Sequence, residues 1–249
     1  MKNFFVRSSF DTKLKKVKVK VANSQLQEFK ILHISDLHID TKTSFQEVDQ
    51  LIAHINSLEC NIVVITGDII DTKVNKIEEK LLRLKAIKHA TYYVSGNHDL
   101  VYGFNDLKAI MKECNIELLD NRYTLIKDKD QHIILAGLGD RFSKFFKIKR
   151  RETRLIKNIQ NIQVPKIFLA HQPKDYKFAL LAKSDIFLCG HTHGGQIFPF
   201  HYLVKLVQPF LSGLHYVDDL AVYVSQGLGA WGIKYRFLTE SELTLLELE

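Results

Sequence analysis

The sequence predicts one α/β domain, 1–249, in which two β-sheets pack face to face and helices cover their outer faces. Three observations carry that expectation. From residue 29 onward, short apolar strand-like runs alternate with amphipathic helical runs. The last third of the chain is strand-rich. No repeat, low-complexity tract or Pro/Gly/Ser linker divides it, and there are only four prolines.

The elements follow in order. Within the basic region 1–28, Lys16 to Val21 alternates lysine with Val17, Val19 and Val21, the period-2 mark of a half-buried strand. Phe29 to Ile34 reads as a buried strand. Ser44 and Glu47 form a capping box ahead of Phe45, Val48, Leu51, Ile52 and Ile55, which share one helical face. Asn61 to Ile65 is a second strand, and Ile77, Leu81, Leu84 and Ile87 mark a helix. Thr91 to Val94 is a third strand, followed by a helix around Phe104 to Met111. Then come a strand at Gln131 to Ala136, a charged helix at Arg150 to Ile162, and strands at Lys166 to Ala170 and Asp185 to Cys189 separated by a short helix. Strands at Leu220 to Ser225 and Leu243 to Leu248 close the chain.

Composition bounds the function. With 46% hydrophobic and 25% charged residues, the chain is an ordinary globular protein. Cys60, Cys114 and Cys189 are an odd number without metal-ligand spacing, which fits a reducing compartment. Met1 to Phe10 holds no apolar signal core, and no run reaches the roughly 18 apolar residues of a membrane span. A cytoplasmic location, peripheral to the inner face of the cell membrane, is expected. The net charge of +7 is concentrated: residues 1–20 hold seven Lys/Arg against one Asp, and residues 141–157 hold eight against one Glu. A local basic surface suits anionic lipid, nucleic acid or a phosphorylated substrate.

Chemistry concentrates where the apolar strands end. Five motifs occupy those positions: Asp36-Leu37-His38, Gly67-Asp68 with Asp71, Gly96-Asn97-His98-Asp99, His171, and Gly190-His191-Thr192-His193. Ligand sites in α/β sheets lie outside the carboxyl strand ends, so loops distant in sequence can converge there. One such loop is an ordinary polar turn. Five in succession, all built of metal-ligand side chains, are not. Asp and Asn oxygens with imidazole nitrogens, and no thiolate, suit Mn²⁺, Fe or Zn²⁺. The donors exceed what one ion coordinates, so two divalent ions sharing an aspartate are expected. Such a pair would generate a hydroxide at neutral pH and clamp phosphoryl oxygens during in-line attack.

The order D-x-H, G-D-x-x-D, G-N-H-D, a lone His and G-H-x-H resembles the calcineurin-like metallophosphoesterase superfamily over residues 30–196. The runs Leu169-Ala-His-Gln-Pro and Gly190-His-Thr-His-Gly-Gly-Gln196 are similar to a bacterial branch that includes a Bacillus cell-wall-associated phosphoesterase and a chlamydial UDP-diacylglucosamine pyrophosphatase. The tail elements Gly227-Leu-Gly229, Arg236-Phe and Ser241-Glu-Leu-Thr-Leu-Leu add to that likeness. The resemblance implies a four-layer αββα sandwich of two mixed sheets, with a dimetal site at the carboxyl strand ends. It implies one metal on Asp36, His38, Asp68 and His193, and another on Asp68, Asn97, His171 and His191. Catalytic roles fall to His98, near the scissile phosphate, and Asp71, which orients its ring. Mn is the expected metal, with Zn or Fe as alternatives.

Other signals read differently. Gly227-Leu-Gly229-Ala-Trp-Gly232 matches G-x-G-x-x-G, but no helix is evident after it and the acidic partner expected about 20 residues on has no room, so a glycine-rich turn near the metal centre is expected. His33, His54, His89 and His132 read as strand-packed or exposed, His201 is a candidate for substrate contact, and Cys189 reads as a small buried residue. Two segments mix large apolar groups with cations: Arg141 to Arg151, and the apolar stretch 197–217, which carries Phe198, Phe200, Leu203, Leu206 and Val207. They form either a solvated basic helix and a core-packed helix, or an apolar, cation-rimmed rim that meets a bilayer or an acyl chain. The expected activity is hydrolysis of a phosphoester or pyrophosphate bond in a phosphorylated small-molecule or lipid substrate, such as a diacylated sugar nucleotide. A nuclease or cyclic-nucleotide phosphodiesterase and a non-catalytic metal-binding scaffold are the alternatives.

Overall fold

The computed structural model describes residues 5–7, 10, 14–128, 131–199, 201–230, 232, 235–237 and 239–249. The chain opens with strands β1 (Phe5–Arg7), β2 (Leu14–Val19) and β3 (Lys30–Ile34), then α1 (Phe45–Ser57) and β4 (Ile62–Thr66). Next come α2 (Glu78–Leu82), β5 (Thr91–Val94), α3 (Asn97–Glu113), β6 (Ile116–Leu118), β7 (Arg122–Asp128) and β8 (Gln131–Leu138). After them follow α4 (Glu152–Ile159), β9 (Lys166–Ala170), α5 (Tyr176–Leu181), β10 (Ile186–Cys189) and α6 (His201–Val207). Strands β11 (Gly213–Val217), β12 (Leu220–Val224), β13 (Tyr235–Phe237) and β14 (Leu243–Leu248) end the chain.

Two six-stranded mixed sheets result, in the orders β2-β14-β3-β4-β5-β6 and β11-β12-β10-β9-β8-β7, beside a two-stranded β1-β13 ribbon. Alternate residues of each strand go to opposite faces, which gives each sheet two apolar surfaces. Ile31, Val64, Ile167, Leu188 and Tyr223 meet between the sheets. Leu32, Ile34 and Ile65 pack outward against Leu51 and Ile55 of α1 and Leu107 of α3. Ala136, Phe168 and Phe187 pack against Leu155 and Ile159 of α4 and Ala179 of α5. The architecture is the αββα sandwich. The capping box of α1 forms as its sequence requires, with Glu47 N–H donating to Ser44 Oγ at 3.1 Å and Ser44 N–H to Glu47 Oε2 at 2.7 Å.

Several boundaries differ from expectation. The helix anticipated between Ile77 and Ile87 is only α2, flanked by 3₁₀ turns at 74–76 and 83–86. The helix expected around Phe104 starts seven residues earlier, at Asn97 in the G-N-H-D motif, and breaks at Gly103, whose φ is 138°. Edge strands β7 and β11 were not evident in the sequence, because exposed positions along each remove the apolar alternation that marks a strand.

Neither the solvated basic helix expected for the first apolar-basic segment nor the core-packed helix expected for the second forms. No side chain of α6 is buried, and Leu206 is 82% exposed. Arg141 to Phe146 is a 3₁₀ turn rather than part of a helix, with Phe142, Phe145 and Phe146 exposed. Phe200 and Trp231 lie outside the described residues. Among the described residues, no helix is long and apolar enough to cross a membrane.

Candidate metal centre

Strand ends place every candidate ligand. Asp36 and His38 follow β3, Asp68 and Asp71 follow β4, and Asn97 and His98 follow β5, all in the first sheet. His171 follows β9, and His191 and His193 follow β10, in the second sheet. The loops are cross-linked through their backbones: Asp36 N–H donates to Gly67 O, His38 N–H to Asp68 O and Gly190 N–H to His171 O, each at 3.0 Å. To aim their side chains inward, five of these residues adopt left-handed backbone: Asp36 (φ 54°), His38 (47°), Asp68 (53°), His191 (71°) and His193 (52°). That conformation is costly for non-glycine residues and concentrates at functional sites. Close approach also dictates Gly96, where an added Cβ would sit 2.1 Å from Asp68 Oδ1.

Two ligand groups form beside a third cluster, in which His38 meets Asp71 and His98. Asp36, His38 and His193 offer atoms within 4.8 Å of one another, and so do Asp68, His171 and His191. Asp68 stands between the groups, its Oδ2 3.7 Å from His38 Nε2 and 3.3 Å from His171 Nε2. Asn97 Oδ1 is 3.1 Å from His171 Nε2. His171 Nδ1 lies 2.7 Å from Thr66 O, and its donation there leaves the Nε2 lone pair facing the cluster. Ring nitrogens of His38 and His193 converge to 3.1 Å, as do those of His191 and His171. Nitrogens this close, set among carboxylates, are a donor arrangement that fits divalent cations.

The electrostatics differ from one ligand to the next: burial disfavours the charged form of His171, but the charge of Asp68 wins and raises its pKa well above the ordinary imidazole value. Burial holds His191 and His193 down at about 4, so both imidazoles are neutral at pH 7. Burial would raise the Asp36 carboxyl, but the neighbouring imidazoles, His193 foremost, hold it well below the usual range. His98 stands beside the two groups, with Nδ1 2.8 Å from Asp71 Oδ1 and its ring centroid 4.6 Å from that of His38. Burial disfavours its charged form, yet the hydrogen bond to Asp71 and the charge of Asp68 win, and its pKa is raised.

Two buried residues matter here that sequence reasoning left without a role. Asp99 accepts hydrogen bonds from the N–H groups of Asp68 (3.0 Å), Ile69 (2.8 Å), Ile70 (3.2 Å) and Gly96 (2.8 Å), bracing the loop that presents Asp68. Its place three residues after Gly96, in the first turn of α3, was the available signal. Arg236 is 1% exposed, donates to the carbonyls of Gln226 and Gly227 at 2.9 and 2.8 Å, and lies 3.3 Å from His193 Nδ1. No spacing rule connects it to partners up to 43 residues away.

A cleft of about 530 Å³ opens over the site, with Asp68, His98 and His193 on its floor and Ile197, Leu203 and Val207 along one wall. The glycine-rich turn adjoins it: Gly232 lines the cleft, Gly229 N–H donates to Asp36 O at 2.8 Å, and among the described residues no helix follows, as a dinucleotide site would require. His201 does not line the cleft; it stacks on Phe198 at 5.2 Å. Of the remaining histidines, His33 is buried in β3, 2.8 Å from Thr66 Oγ1. Cys189 is fully buried.

A two-sheet sandwich with carboxylates and imidazoles gathered at the joint carboxyl edge defines a metallophosphoesterase domain. Residues 29–195 match the family model described as calcineurin-like phosphoesterase, and the chain belongs to that family. It is 35% identical over 226 residues to an uncharacterized metallophosphoesterase of Helicobacter pylori, covering 89% of this chain and 60% of that protein. A transmembrane protein with metallophosphoesterase domain from Bos taurus is 32% identical, with 90% of this chain and 54% of that protein covered. The chain thus spans less than two thirds of each. In fold it is similar to a putative 5'-nucleotidase from Staphylococcus aureus crystallised with alpha-ketoglutarate, with a TM-score of 0.57 at 11% identity, covering 89% of this chain and 54% of that one.

Proposed function

We propose that this protein hydrolyses a phosphoester or pyrophosphate bond in a substrate with an apolar, lipid-linked portion, working at the inner face of the cell membrane. One observation carries the reading: Asp68 is set between two ligand groups on the floor of a cleft whose wall is apolar. In this reading Asp36, His38, Asp68 and His193 hold one divalent cation, and Asp68, Asn97, His171 and His191 the other. Mn²⁺ suits that oxygen and nitrogen donor set. When bound, the cations supply Lewis acidity toward the phosphoryl oxygens and ionise water near neutral pH.

The side chains do the rest. His98, whose charged form the hydrogen bond to Asp71 favours, neutralises charge developing on the phosphoryl group and donates a proton to the leaving oxygen. Asp71 fixes the ring by taking Nδ1–H, which leaves Nε2–H as the transferable proton. Ile197, Leu203 and Val207 receive the apolar part of the substrate and exclude water beside the reacting bond.

Membrane contact is supported by the exposure of Phe145 (67%) and Leu206 (82%). Both segments emerge from carboxyl ends of second-sheet strands, β8 and β10, the edge that carries the site. The Bos taurus relative, named as a transmembrane protein, points the same way. The test is an Mn²⁺-supported screen across phosphomonoesters, diesters, nucleotides and sugar nucleotides with and without acyl chains, beside co-sedimentation with phosphatidylglycerol vesicles. Preference for the acylated member and salt-sensitive sedimentation are expected. Equal turnover of acylated and plain substrates, or no sedimentation at low salt, would remove the lipid reading. Selective cleavage of nucleic acid would put the nuclease alternative in its place.

A further inference from the structure

We propose that the cleft between α4 and the start of β7 is a second site, separate from the metal centre, that binds a phosphoryl-bearing anion. It encloses about 510 Å³ and is lined by Arg122 and Tyr123 from β7 and by Arg151, Arg154 and Asn158 from the α4 side. Positions 151, 154, 155 and 158 recur at helical spacing, so α4 presents one face to the cleft, with buried Leu155 on it.

The arginines themselves make the argument. The sequence has eight, of which Arg7 lies where side chains are not described. Four of the other seven are engaged. Arg83 pairs with Asp49, Arg141 and Arg150 share Asp175, and Arg236 is buried among carbonyls. The three without an acidic or carbonyl partner among the described residues, Arg122, Arg151 and Arg154, all line this one cleft. Like charges gathered in a concavity repel one another and focus a positive potential into it. Guanidinium groups are planar forks that match phosphoryl oxygens in pairs, and three of them suit a multiply charged oxyanion better than a carboxylate.

The single acid in the cleft does not cancel this charge. Asp120 is held by Ser95, accepting from its N–H at 2.9 Å and its hydroxyl at 2.5 Å. One negative charge thus faces three positive ones. Ser95 directly precedes Gly96-Asn97-His98, so an occupant of the cleft rests against the residue that secures the start of that loop. No side chain is common to the two clefts.

The experiment follows arginine side-chain Nε–H resonances by NMR in the full chain loaded with Mg²⁺, titrated with inorganic phosphate at constant ionic strength. Saturable shifts at Arg122, Arg151 and Arg154 are expected, persisting in Asp68→Asn, which disables the metal centre. In Arg122→Gln/Arg154→Gln the remaining Arg151 signal should titrate at least tenfold more weakly, with an unchanged melting temperature. Three results overturn the proposal: shifts that chloride reproduces, shifts that vanish in Asp68→Asn, or shifts produced by a single-stranded oligonucleotide but not by phosphate. If the double variant loses stability, Arg122→Lys and Arg154→Lys take its place. They keep the charge without the planar fork, and undiminished phosphate binding in both would also overturn it.

Discussion

The floor and the rim of the main cleft are built on opposite principles. On the floor Asp36, His38, His171 and His193 are almost fully buried, and backbone bonds between loops from both sheets hold them. On the rim, α6 buries no side chain, and the segment after β8 exposes three phenylalanines. A buried polar group is costly unless every donor and acceptor is matched, so the floor has one arrangement. Exposed apolar groups cost little in packing when changed, so the rim is free to be shaped by what it touches. Substitutions on the floor should therefore damage metal binding and folding together, whereas substitutions on the rim should damage only recognition.

The largest effect expected is from Asp68→Asn, since Asp68 adjoins both ligand groups. Metal analysis should show loss of at least one ion, and turnover should fall to the uncatalysed background. A variant retaining both ions and activity would remove the shared role of Asp68. Next, His98→Ala should lower turnover by roughly 10²–10⁴-fold with metal content intact, whereas His191→Ala should lower metal content itself. If both lost metal alike, His98 belongs with the ligands.

Arg236→Met tests how far the floor extends behind its ligands. It strands the carbonyls of Gln226 and Gly227 and should cost about 1–3 kcal/mol in denaturant unfolding. A metal affinity weaker by about 10–100-fold is also expected, partly rescued by Arg236→Lys. Unchanged affinity would confine Arg236 to stability.

Acid should loosen the floor by a predictable sign. Burial lowers His33 to about 3, and His191 and His193 to about 4, from an ordinary value of 6.5. Between those values the unfolded chain binds more protons than the folded one, so the contribution of these three imidazoles is complete above pH 6.5 and falls as the pH drops toward 4 and then 3, whereas His98 and His171, whose pKa values are raised, contribute in the opposite sense. Metal-free protein melted across this range should show the slope, and His33→Gln, which can still bond Thr66, should flatten it. A slope unaffected by His33→Gln would contradict the assignment of His33.

The smallest effect on the fold is expected at the rim. Leu203→Ser with Leu206→Ser should change stability by about 0.5 kcal/mol or less, because both side chains are already exposed. Vesicle binding should nonetheless weaken. A large drop in melting temperature would mean that α6 packs in solution, and the contrast between floor and rim would fail.

Much of this was legible in the sequence. Alternation and apolar runs locate β3, β4, β5, β9 and β10, because strands buried on both faces have uniformly apolar sequences. The motifs that follow those strands name all nine residues the structure brings together at the site. Edge strands β7 and β11 were not legible, since β7 places apolar Tyr123 and Leu125 at exposed positions and β11 has no buried residue, which leaves neither with a clean alternation.

The sequence by itself determined the strand order of the chemistry: which side chains follow which strand ends, and that they are oxygen and nitrogen donors without a thiolate. Motif spacing records such local facts. Only the tertiary structure decided that the loops of two sheets meet at one edge, that Asp99 and Arg236 brace them from behind, and that α6 stays outside the core. It also gathered Arg122 from a strand with Arg151, at the cap of α4, and Arg154 within that helix into one cleft. Those outcomes depend on contacts between residues tens to hundreds of positions apart. Burial and hydrogen-bond matching select such contacts, and no local pattern encodes them.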